Sequence, residues 1–298
     1  MAHDHAHGSQ QYGKAFGIGI ALNSIYVVVE LYYGFVANSS ALLADAGHNA
    51  GDVFSLILAW VAIKIATKRP SKRYTYGLRK TTILASLING AIIIAAALLI
   101  GWEAIDKFQN PVKVSGNIVM IVAAIGLVVN VGTALLFWKG QKGDLNIRGA
   151  FLHMAADAAV TLGVLLGGLA INYTGLEWID PALSLVIVVV IIYSSWGLLR
   201  DSVKIAIDAV PKNIEIDEVE LYLKNINGVE DVHDLHIWAM STTETALSVH
   251  LVVPEGHKDQ FLYDIREKLH EKFEITHTTI QIEKDFGDTE YKPYQGID

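Results

Sequence analysis

The sequence predicts a membrane protein of two parts: six transmembrane α-helices, then a C-terminal cytoplasmic α+β domain. Of its 298 residues, 52% are hydrophobic, and the mean hydropathy of +0.37 exceeds that of ordinary soluble domains. The acidic residues gather after residue 210, where 19 Asp and Glu stand against 8 Lys and Arg; before it, 12 stand against 15. The long apolar stretches all precede residue 210, so both properties divide the chain at the same place.

Six stretches are long and apolar enough to cross a bilayer, which requires roughly 20 residues of helix. Any one of them could instead be a buried helix of a soluble protein, but six in succession favour a membrane domain. We predict spans at about 14–36, 41–66, 80–105, 115–138, 147–172 and 179–199. The domain boundaries that follow are a tail at 1–13, a transmembrane domain at 14–205, a cytoplasmic domain at 206–290 and a tail at 291–298.

Lys and Arg in the short loops predict the orientation, because such residues are retained on the cytoplasmic side. The 1–2 and 5–6 connections contain none, and the 3–4 connection has only Lys107 and Lys113. The basic residues are concentrated in the 2–3 loop and in the segments after spans four and six: Lys64, Lys68, Arg69, Lys72, Arg73, Arg79, Lys80; Lys139, Lys142, Arg148; Arg200, Lys204. We therefore expect both termini in the cytoplasm, and the short loops favour a bacterial inner membrane.

The region after Pro211 has the pattern of a small α-β-β-α-β domain. A helical pattern at 216–227 is followed by two alternating stretches, "VEDVHDLHIWAM" and "TALSVHLVVP", which predict strands on either side of a polar turn. "KDQFLYDIREKLHEKF" is amphipathic, and "HTTIQIEK" predicts a last strand.

Several classes of protein are excluded by what the sequence lacks. Without cysteine there is no disulfide framework and no thiolate metal site. The sequence also lacks the basic patch typical of nucleic-acid-binding proteins and a Walker A phosphate loop. Neither nucleic-acid binding nor direct ATP coupling is therefore supported. The N-terminus lacks the basic start and apolar run of a signal peptide.

Two predicted spans carry ionisable side chains, which cost several kcal/mol inside a bilayer unless they are paired or face a cavity. His48 and Asp52 lie one helical turn apart in the second span, and His153 and Asp157 repeat that spacing in the fifth. Two imidazoles and two carboxylates form a four-ligand set of the kind that a tetrahedral Zn²⁺ site uses. Small residues beside these pairs, such as Gly47 and Gly51, are expected to let spans two and five approach closely.

Other interpretations of the polar residues in the spans stay open. The two His–Asp pairs could instead be hydrogen bonds that hold helices together. Asp45 is as compatible with a place near the outer mouth as with a role in ion entry. For Asn23, Glu30 and Asn130 we favour bonds between helices over a lining of the ion path.

The ligand types indicate which ion would bind and how it would be driven. Imidazole with carboxylate suits Zn²⁺, and also Cd²⁺ or Co²⁺, whereas Mg²⁺ and Ca²⁺ favour oxygen ligands alone. These ligands must lose their protons to bind a metal, and histidine titrates near neutrality. A site that opens to one side and then the other can therefore exchange a metal ion for protons. A membrane-embedded metal sensor and a metalloenzyme are the alternatives, although no H-E-x-x-H is present.

The chain resembles the cation diffusion facilitators, in particular their zinc transporters, over about residues 13–284. The most specific likeness lies in "VVVELYYGFVANSSALLADAGHNAGDV" (27–53) and "VHDLHIWAMS" (232–241). The resemblance implies a homodimer in the lipid bilayer, a cytoplasmic domain of metallochaperone-like fold, and export of zinc against protons. It places the family's transport site on His48, Asp52, His153 and Asp157.

The resemblance also implies metal ligands in the cytoplasmic domain, where Zn²⁺ would be a structural or regulatory ion. The matching positions are His233, His250 and Glu283, and His277 is a weaker match. We interpret His236 and His257 as ordinary surface residues.

The 2–3 loop differs from that of some members of the family, and the N-terminal tail has two interpretations. The 2–3 loop has neither His nor carboxylate in "SKRYTYGLRK", so the loop metal site of some bacterial members is expected to be absent. Its basic residues are better explained by orientation or by contact with anionic lipid. The N-terminal His3, Asp4, His5 and His7 could gather metal or form a tail without function.

Overall fold

The computed structural model describes residues 6–138 and 145–285, with the side chains of 6–18 and 145–146 left out. Within these residues six helices are long and apolar enough to span a membrane, which confirms the predicted fold class. Their bounds are α1 Ala6–Val36, α2 Ser40–Ala66, α3 Thr81–Gln109, α4 Gly116–Phe137, α5 Leu145–Thr174 and α6 Ile179–Ala206. The first helix starts eight residues before the predicted span, and α6 continues past its predicted end.

The start of α2 is held by a carboxylate from the start of α6. Ser39 caps α2 by accepting a hydrogen bond from the Leu42 backbone N–H (3.1 Å). Buried Asp180 accepts hydrogen bonds from the Ser39 hydroxyl and from the Ser40 backbone N–H, at 2.5 and 2.6 Å. These bonds satisfy donors that a helix N-terminus leaves without intrahelical partners. The first turn of α2, the helix that carries His48 and Asp52, is thereby fixed to α6.

Glycines allow α4 and α5 to touch through their backbones. A methyl group added at Gly168 would lie 2.9 Å from the Met120 backbone nitrogen, and one at Gly116 would lie 2.9 Å from the Gly168 carbonyl oxygen. The α2 glycines do not serve the predicted purpose, because methyl groups at Gly47 and Gly51 would meet Ile100 and Ile93 of α3 instead. The expectation that these two glycines give clearance to α5 is therefore wrong.

The C-terminal domain is a three-stranded sheet with two helices, in the predicted order. It comprises α7 Ile216–Lys224, β1 Asp231–Ala239, β2 Thr245–Val252, α8 Asp259–Phe273 and β3 Ile275–Glu283. The central strand β2 pairs antiparallel with β1 and parallel with β3. Ile265, Leu269 and Phe273 of α8 are buried in the domain core, as the amphipathic pattern predicts.

The first strand contains a bulge beside its histidines. His233 pairs with His250 and His236 pairs with Ser248, so β1 holds one more residue than β2 between these pairs. Asp234 lies in the bulge with a φ of 51°, a left-handed conformation that Asp tolerates better than most residues. The bulge turns Asp234 out of the regular alternation of the strand.

The chain forms two compact units that do not coincide with its two predicted parts. The first contains Met1–Ile57 and Asn89–Gly197; the second contains Leu58–Ile88 and Leu198–Asp298. The second unit thus combines the 2–3 loop and the adjoining helix ends with the α+β domain. Within it, Lys80 pairs with Asp208 at 2.8 Å, and the Ser86 and Ser202 hydroxyls are 2.7 Å apart.

Candidate metal centre

The first unit brings the two His-x-x-x-Asp pairs of α2 and α5 together. The His48 Nε2 atom lies 3.4 Å from Asp157 Oδ1, and the His153 Nε2 atom lies 3.2 Å from Asp52 Oδ2. Within each helix, the histidine and aspartate are 4.0 Å apart in α2 and 3.7 Å apart in α5. Each imidazole therefore faces the carboxylate of the other helix more closely than that of its own.

The donor atoms of this cluster fit a divalent cation. Ligand atoms of His48, Asp52 and Asp157 all lie within 4.8 Å of one another, and His153 adds a second imidazole beside both carboxylates. Among the described residues, Asp52 Oδ2 and Asp157 Oδ2 are buried without a hydrogen bond of ordinary geometry. Carboxylate oxygens left in this state, beside two imidazoles, have the chemistry of a Zn²⁺ site and are costly to bury otherwise.

A cavity of about 630 Å³ reaches one side of this cluster. Asp52 and His153 line it, together with Asn23 of α1 and Thr133 of α4. Phe137 and Gly149 also line it, at the end of α4 and near the start of α5, so the cavity lies beside the 4–5 connection. His153 is partly exposed, whereas Asp157 is only 1% exposed, so the site has an accessible side and a buried side.

A network of buried polar side chains lies on the side of the cluster nearer the 1–2 connection. Glu30, Asp45 and Asn49 are each 0% exposed. Tyr26 donates a hydrogen bond to Glu30 (2.7 Å), and Thr161 of α5 donates one to Asp45 (2.9 Å).

This network ties α2 to the helices around it. Asn49 donates to Glu30 of α1, at 3.4 Å, and Asn130 of α4 donates to the Thr161 hydroxyl, at 3.1 Å. The structure thus agrees with the inter-helix bonds favoured for Glu30 and Asn130, whereas Asn23 lines the cavity. Asn49 and Thr161 were not predicted from the sequence as members of this network. Asn49 could have been, because it is a polar residue next to His48 in an apolar span.

A second cluster lies on one end of the sheet in the C-terminal domain. The His233 Nε2 atom is 3.2 Å from Glu283 Oε2, and the His250 Nδ1 atom is 3.0 Å from Glu283 Oε1. Their ligand atoms lie within 4.8 Å of one another, and the two rings meet edge to face with centroids 5.2 Å apart. Each of the three strands supplies one of these residues, and imidazole with carboxylate again suits Zn²⁺.

The structure places one further residue beside this second cluster and separates others from it. Asp234 Oδ2 lies 3.6 Å from His250 Nε2, because the bulge of β1 directs Asp234 there. His277 lies at the opposite end of β3, where its ring meets that of Tyr76. His236 contacts Asp234 from an exposed position, and His257 is exposed. His3, Asp4, His5 and His7 lie outside the described residues or have side chains that are not described.

Comparison with known proteins identifies the class to which this fold and these clusters belong. The model of the cation efflux transmembrane domain matches residues 17–205, and that of the cation efflux protein cytoplasmic domain matches residues 211–285. The chain belongs to the cation efflux family, whose members are membrane transporters and not enzymes. It is therefore an integral membrane protein, as the resemblance in its sequence implied.

Individual relatives cover nearly the whole chain. A cadmium, cobalt and zinc/H(+)-K(+) antiporter of Bacillus subtilis is 36% identical over 95% of this chain and 92% of its own length. The zinc transporter ZitB of Escherichia coli is 33% identical over 100% of this chain and 95% of its own length.

A solved structure, the metal-bound C-terminal domain of the CzcD transporter from Cupriavidus metallidurans, is 38% identical. It covers 24% of this chain and 99% of its own, with a TM-score of 0.22, which is too low to support a comparison of folds.

Proposed function

We propose that this protein exports Zn²⁺ from the cytoplasm in exchange for protons, and that Cd²⁺ and Co²⁺ are further substrates. The observation that carries the proposal is the meeting of His48, Asp52, His153 and Asp157 at the end of a cavity inside the helix bundle. The relatives named for zinc, cadmium and cobalt support the choice of ions. In this proposal the four residues are the transport site.

The direction of transport follows from the proposed orientation and the cavity. With the basic 2–3 loop in the cytoplasm, the cavity opens inward, and cytosolic metal reaches His153 and Asp52 first. When the site faces outward, protons compete for the same donor atoms, because imidazole and carboxylate bind a metal only when deprotonated. Metal leaves and protons return, so a proton gradient drives the cycle without ATP.

We further propose that two copies form a homodimer in a bacterial inner membrane and that the C-terminal cluster binds a regulatory Zn²⁺. The match to the cytoplasmic domain of cation efflux proteins and the bacterial relatives support this arrangement. His233, His250 and Glu283 would hold the ion. Metal bound to the folded domain stabilises it by mass action.

Flux measurements in proteoliposomes test the transport proposal. We expect a zinc-sensitive dye inside the vesicles to report uptake that rises when the lumen is made acidic, and not when only a K⁺ gradient is imposed. Asp52→Ala and His153→Ala should abolish the uptake, while the exposed His257→Ala should keep it. Absence of zinc flux from the wild-type protein would refute the transporter, and wild-type rates in Asp52→Ala would refute the site.

A metal sensor remains a second candidate only if the transport site binds zinc without moving it. Equilibrium zinc binding by the same purified protein separates the two. A transporter should show both binding and proton-driven flux, whereas a sensor should show binding alone.

A further inference from the structure

Part of the 2–3 loop is a continuous exposed stretch with a single sign of charge. All ten residues from 67 to 76 are exposed, and they include no Asp or Glu. Within residues 6–138 and 145–285, the four basic side chains of this stretch form no ion pair and no side-chain hydrogen bond. We call these four residues the basic turn: Lys68, Arg69, Lys72 and Arg73.

Hydrogen bonds close the backbone of the basic turn into a compact loop. The Ser71 backbone N–H donates to the Tyr74 carbonyl at 3.0 Å, and the Tyr74 backbone N–H donates to the Ser71 hydroxyl at 3.2 Å. The ends of the loop also approach each other, because a methyl group added at Gly77 would lie 3.4 Å from the Lys68 carbonyl oxygen. The four cations are therefore grouped on one small loop and are not spread along an extended chain.

The next two basic residues along the chain are neutralised, which the basic turn is not. The Arg79 Nη1 atom lies 2.8 Å from Glu244 Oε1, and the Lys80 Nζ atom lies 2.8 Å from Asp208 Oδ1. Acidic groups of the same compact unit thus pair with these two residues and leave the basic turn without such a partner. The charge of the basic turn is therefore free to attract an anionic partner outside the chain.

The helix that leads into the basic turn ends with residues suited to the membrane surface. Trp60 is 62% exposed, and the Lys64 Nζ atom lies 4.8 Å from the centre of its ring. Exposed tryptophan and lysine near the end of a span favour the level of the lipid headgroups, where an apolar body and a polar tip are both accommodated. Helix α2 ends at Ala66, two residues before Lys68. The basic turn therefore begins where the headgroups are expected.

We propose that the basic turn, together with Trp60 and Lys64, binds the headgroups of anionic phospholipids. Clustered Lys and Arg immediately beyond a transmembrane helix attract such lipids, and guanidinium and ammonium groups form charge-assisted hydrogen bonds with phosphate oxygens. Membrane orientation also accounts for basic residues in this loop, but it requires no bound lipid. The two explanations therefore differ in whether the protein selects anionic lipid. Lipid binding is measured without transport, so this inference stands or falls apart from the proposed function.

Native mass spectrometry of the full-length protein tests this selection, with phosphatidylglycerol and phosphatidylcholine offered in equal amounts. We expect the wild type to retain about ten times more phosphatidylglycerol, because each basic residue near an anionic surface strengthens binding by up to about fivefold. The triple variant Lys68→Gln, Lys72→Gln, Arg73→Gln should retain both lipids about equally. Retention without preference in the wild type would overturn the proposal.

The matched control removes the same two lysines and one arginine from exposed positions of the C-terminal domain. Among the described residues these three form no ion pair, and their removal should keep the lipid preference: Lys258→Gln, Arg266→Gln, Lys284→Gln. An equal loss in both triple variants would show that only net charge matters. Displacement of the lipid by excess inorganic phosphate, or a change in the share of dimers with the loop variant alone, would assign the basic turn to free phosphate or to a second copy and overturn the lipid site.

Tryptophan fluorescence then tests where the anionic lipid binds. In reconstituted vesicles, the emission lost in Trp60→Phe should be quenched more by phosphatidylglycerol with brominated acyl chains than by brominated phosphatidylcholine. Trp102, which is 76% exposed near the end of α3 that leads to the 3–4 connection, is the control and should be quenched equally by both lipids. The excess at Trp60 should disappear near 1 M salt, where the Debye length is about 3 Å. Equal quenching of Trp60 by the two lipids would contradict a site beside the basic turn.

Discussion

At the scale of single residues, the four residues of the two His–Asp pairs differ in their access to solvent. Asp52 and His153 line the cavity, whereas Asp157 is almost completely buried. In the proposed transport cycle, a cation arriving through the cavity would meet one residue of each His–Asp pair before reaching all four. The two helices would then contribute equally to the first contact and to the proposed transport site.

The Thr161 hydroxyl is expected to hold the geometry behind this site. It donates to Asp45 and accepts from Asn130, so Thr161→Val leaves a buried carboxylate oxygen and an amide without these partners. We expect a loss of about 1–3 kcal/mol in stability and weaker zinc binding. Thermal unfolding and zinc titration in detergent measure both effects.

Thr174→Val provides the control on the same helix, because the Thr174 hydroxyl donates to the Ala170 carbonyl of that helix, at 2.6 Å, and is not among the residues that line the cavity. Equal losses in the two variants would show that the hydrogen bonds of Thr161 with Asp45 and Asn130 contribute no more than a hydrogen bond within one helix.

The C-terminal cluster should bind a metal that can be removed without emptying the membrane site. His250→Ala deletes the imidazole that contacts both Glu283 and Asp234, so a metal site there would lose one of its three candidate ligands. Elemental analysis of purified protein should show less zinc per chain in this variant than in the wild type. His257→Ala, an exposed histidine, should keep the wild-type content; an equal loss there would contradict the assignment.

At the scale of secondary-structure elements, close packing of α4 against α5 sets the position of half of the proposed transport site. The backbones of these helices approach through Gly116 and Gly168, and α5 carries His153 and Asp157. Transmembrane helices gain their association largely from such close packing, because lipid offers no hydrophobic driving force between them.

Gly168→Ala should therefore force α4 and α5 apart. The added methyl group would lie 2.8 Å from Val119 Cγ1 and 2.9 Å from the Met120 nitrogen, and backbone cannot yield as a flexible side chain can. We expect a lower unfolding temperature in detergent and reduced zinc binding. Gly163→Ala, on the same helix with no atom within 4 Å of the added group, should have little effect. Similar unfolding temperatures for both variants would argue against the close packing.

At the scale of the whole molecule, the proposed orientation determines which way metal moves. The basic residues between α2 and α3 predict that this loop is cytoplasmic, and the connection from α5 to α6 contains none. If the orientation were reversed, the same site and cavity would describe an importer or a different cycle. The orientation is therefore the property on which the direction of transport depends most.

Single cysteines can test this orientation, because the chain has none of its own. A membrane-impermeant maleimide should label Thr174→Cys in intact spheroplasts, since Thr174 is exposed at the end of α5. Ser71→Cys, exposed in the 2–3 loop, should be labelled only after the cells are broken. The opposite pattern would reverse the proposed topology.

The sequence by itself determined the features that depend on neighbours along the chain. The apolar length of each span, the four-residue spacing of His48–Asp52 and His153–Asp157, and the order of elements after Pro211 are all local. Helix and strand periods translate such spacing directly into shared faces. These predictions of the fold were confirmed, and the structure brings the four membrane residues together.

Only the tertiary structure decided which distant residues meet. The bulge that brings Asp234 to His250, the Thr161 bond to Asp45, the α3 neighbours of Gly47 and Gly51, and the Arg79–Glu244 pair each join separate elements. Such contacts depend on strand register, on helix rotation and on the loop's position against the sheet. None of these leaves a periodic signal in the sequence, because each is set by packing among segments far apart in the chain.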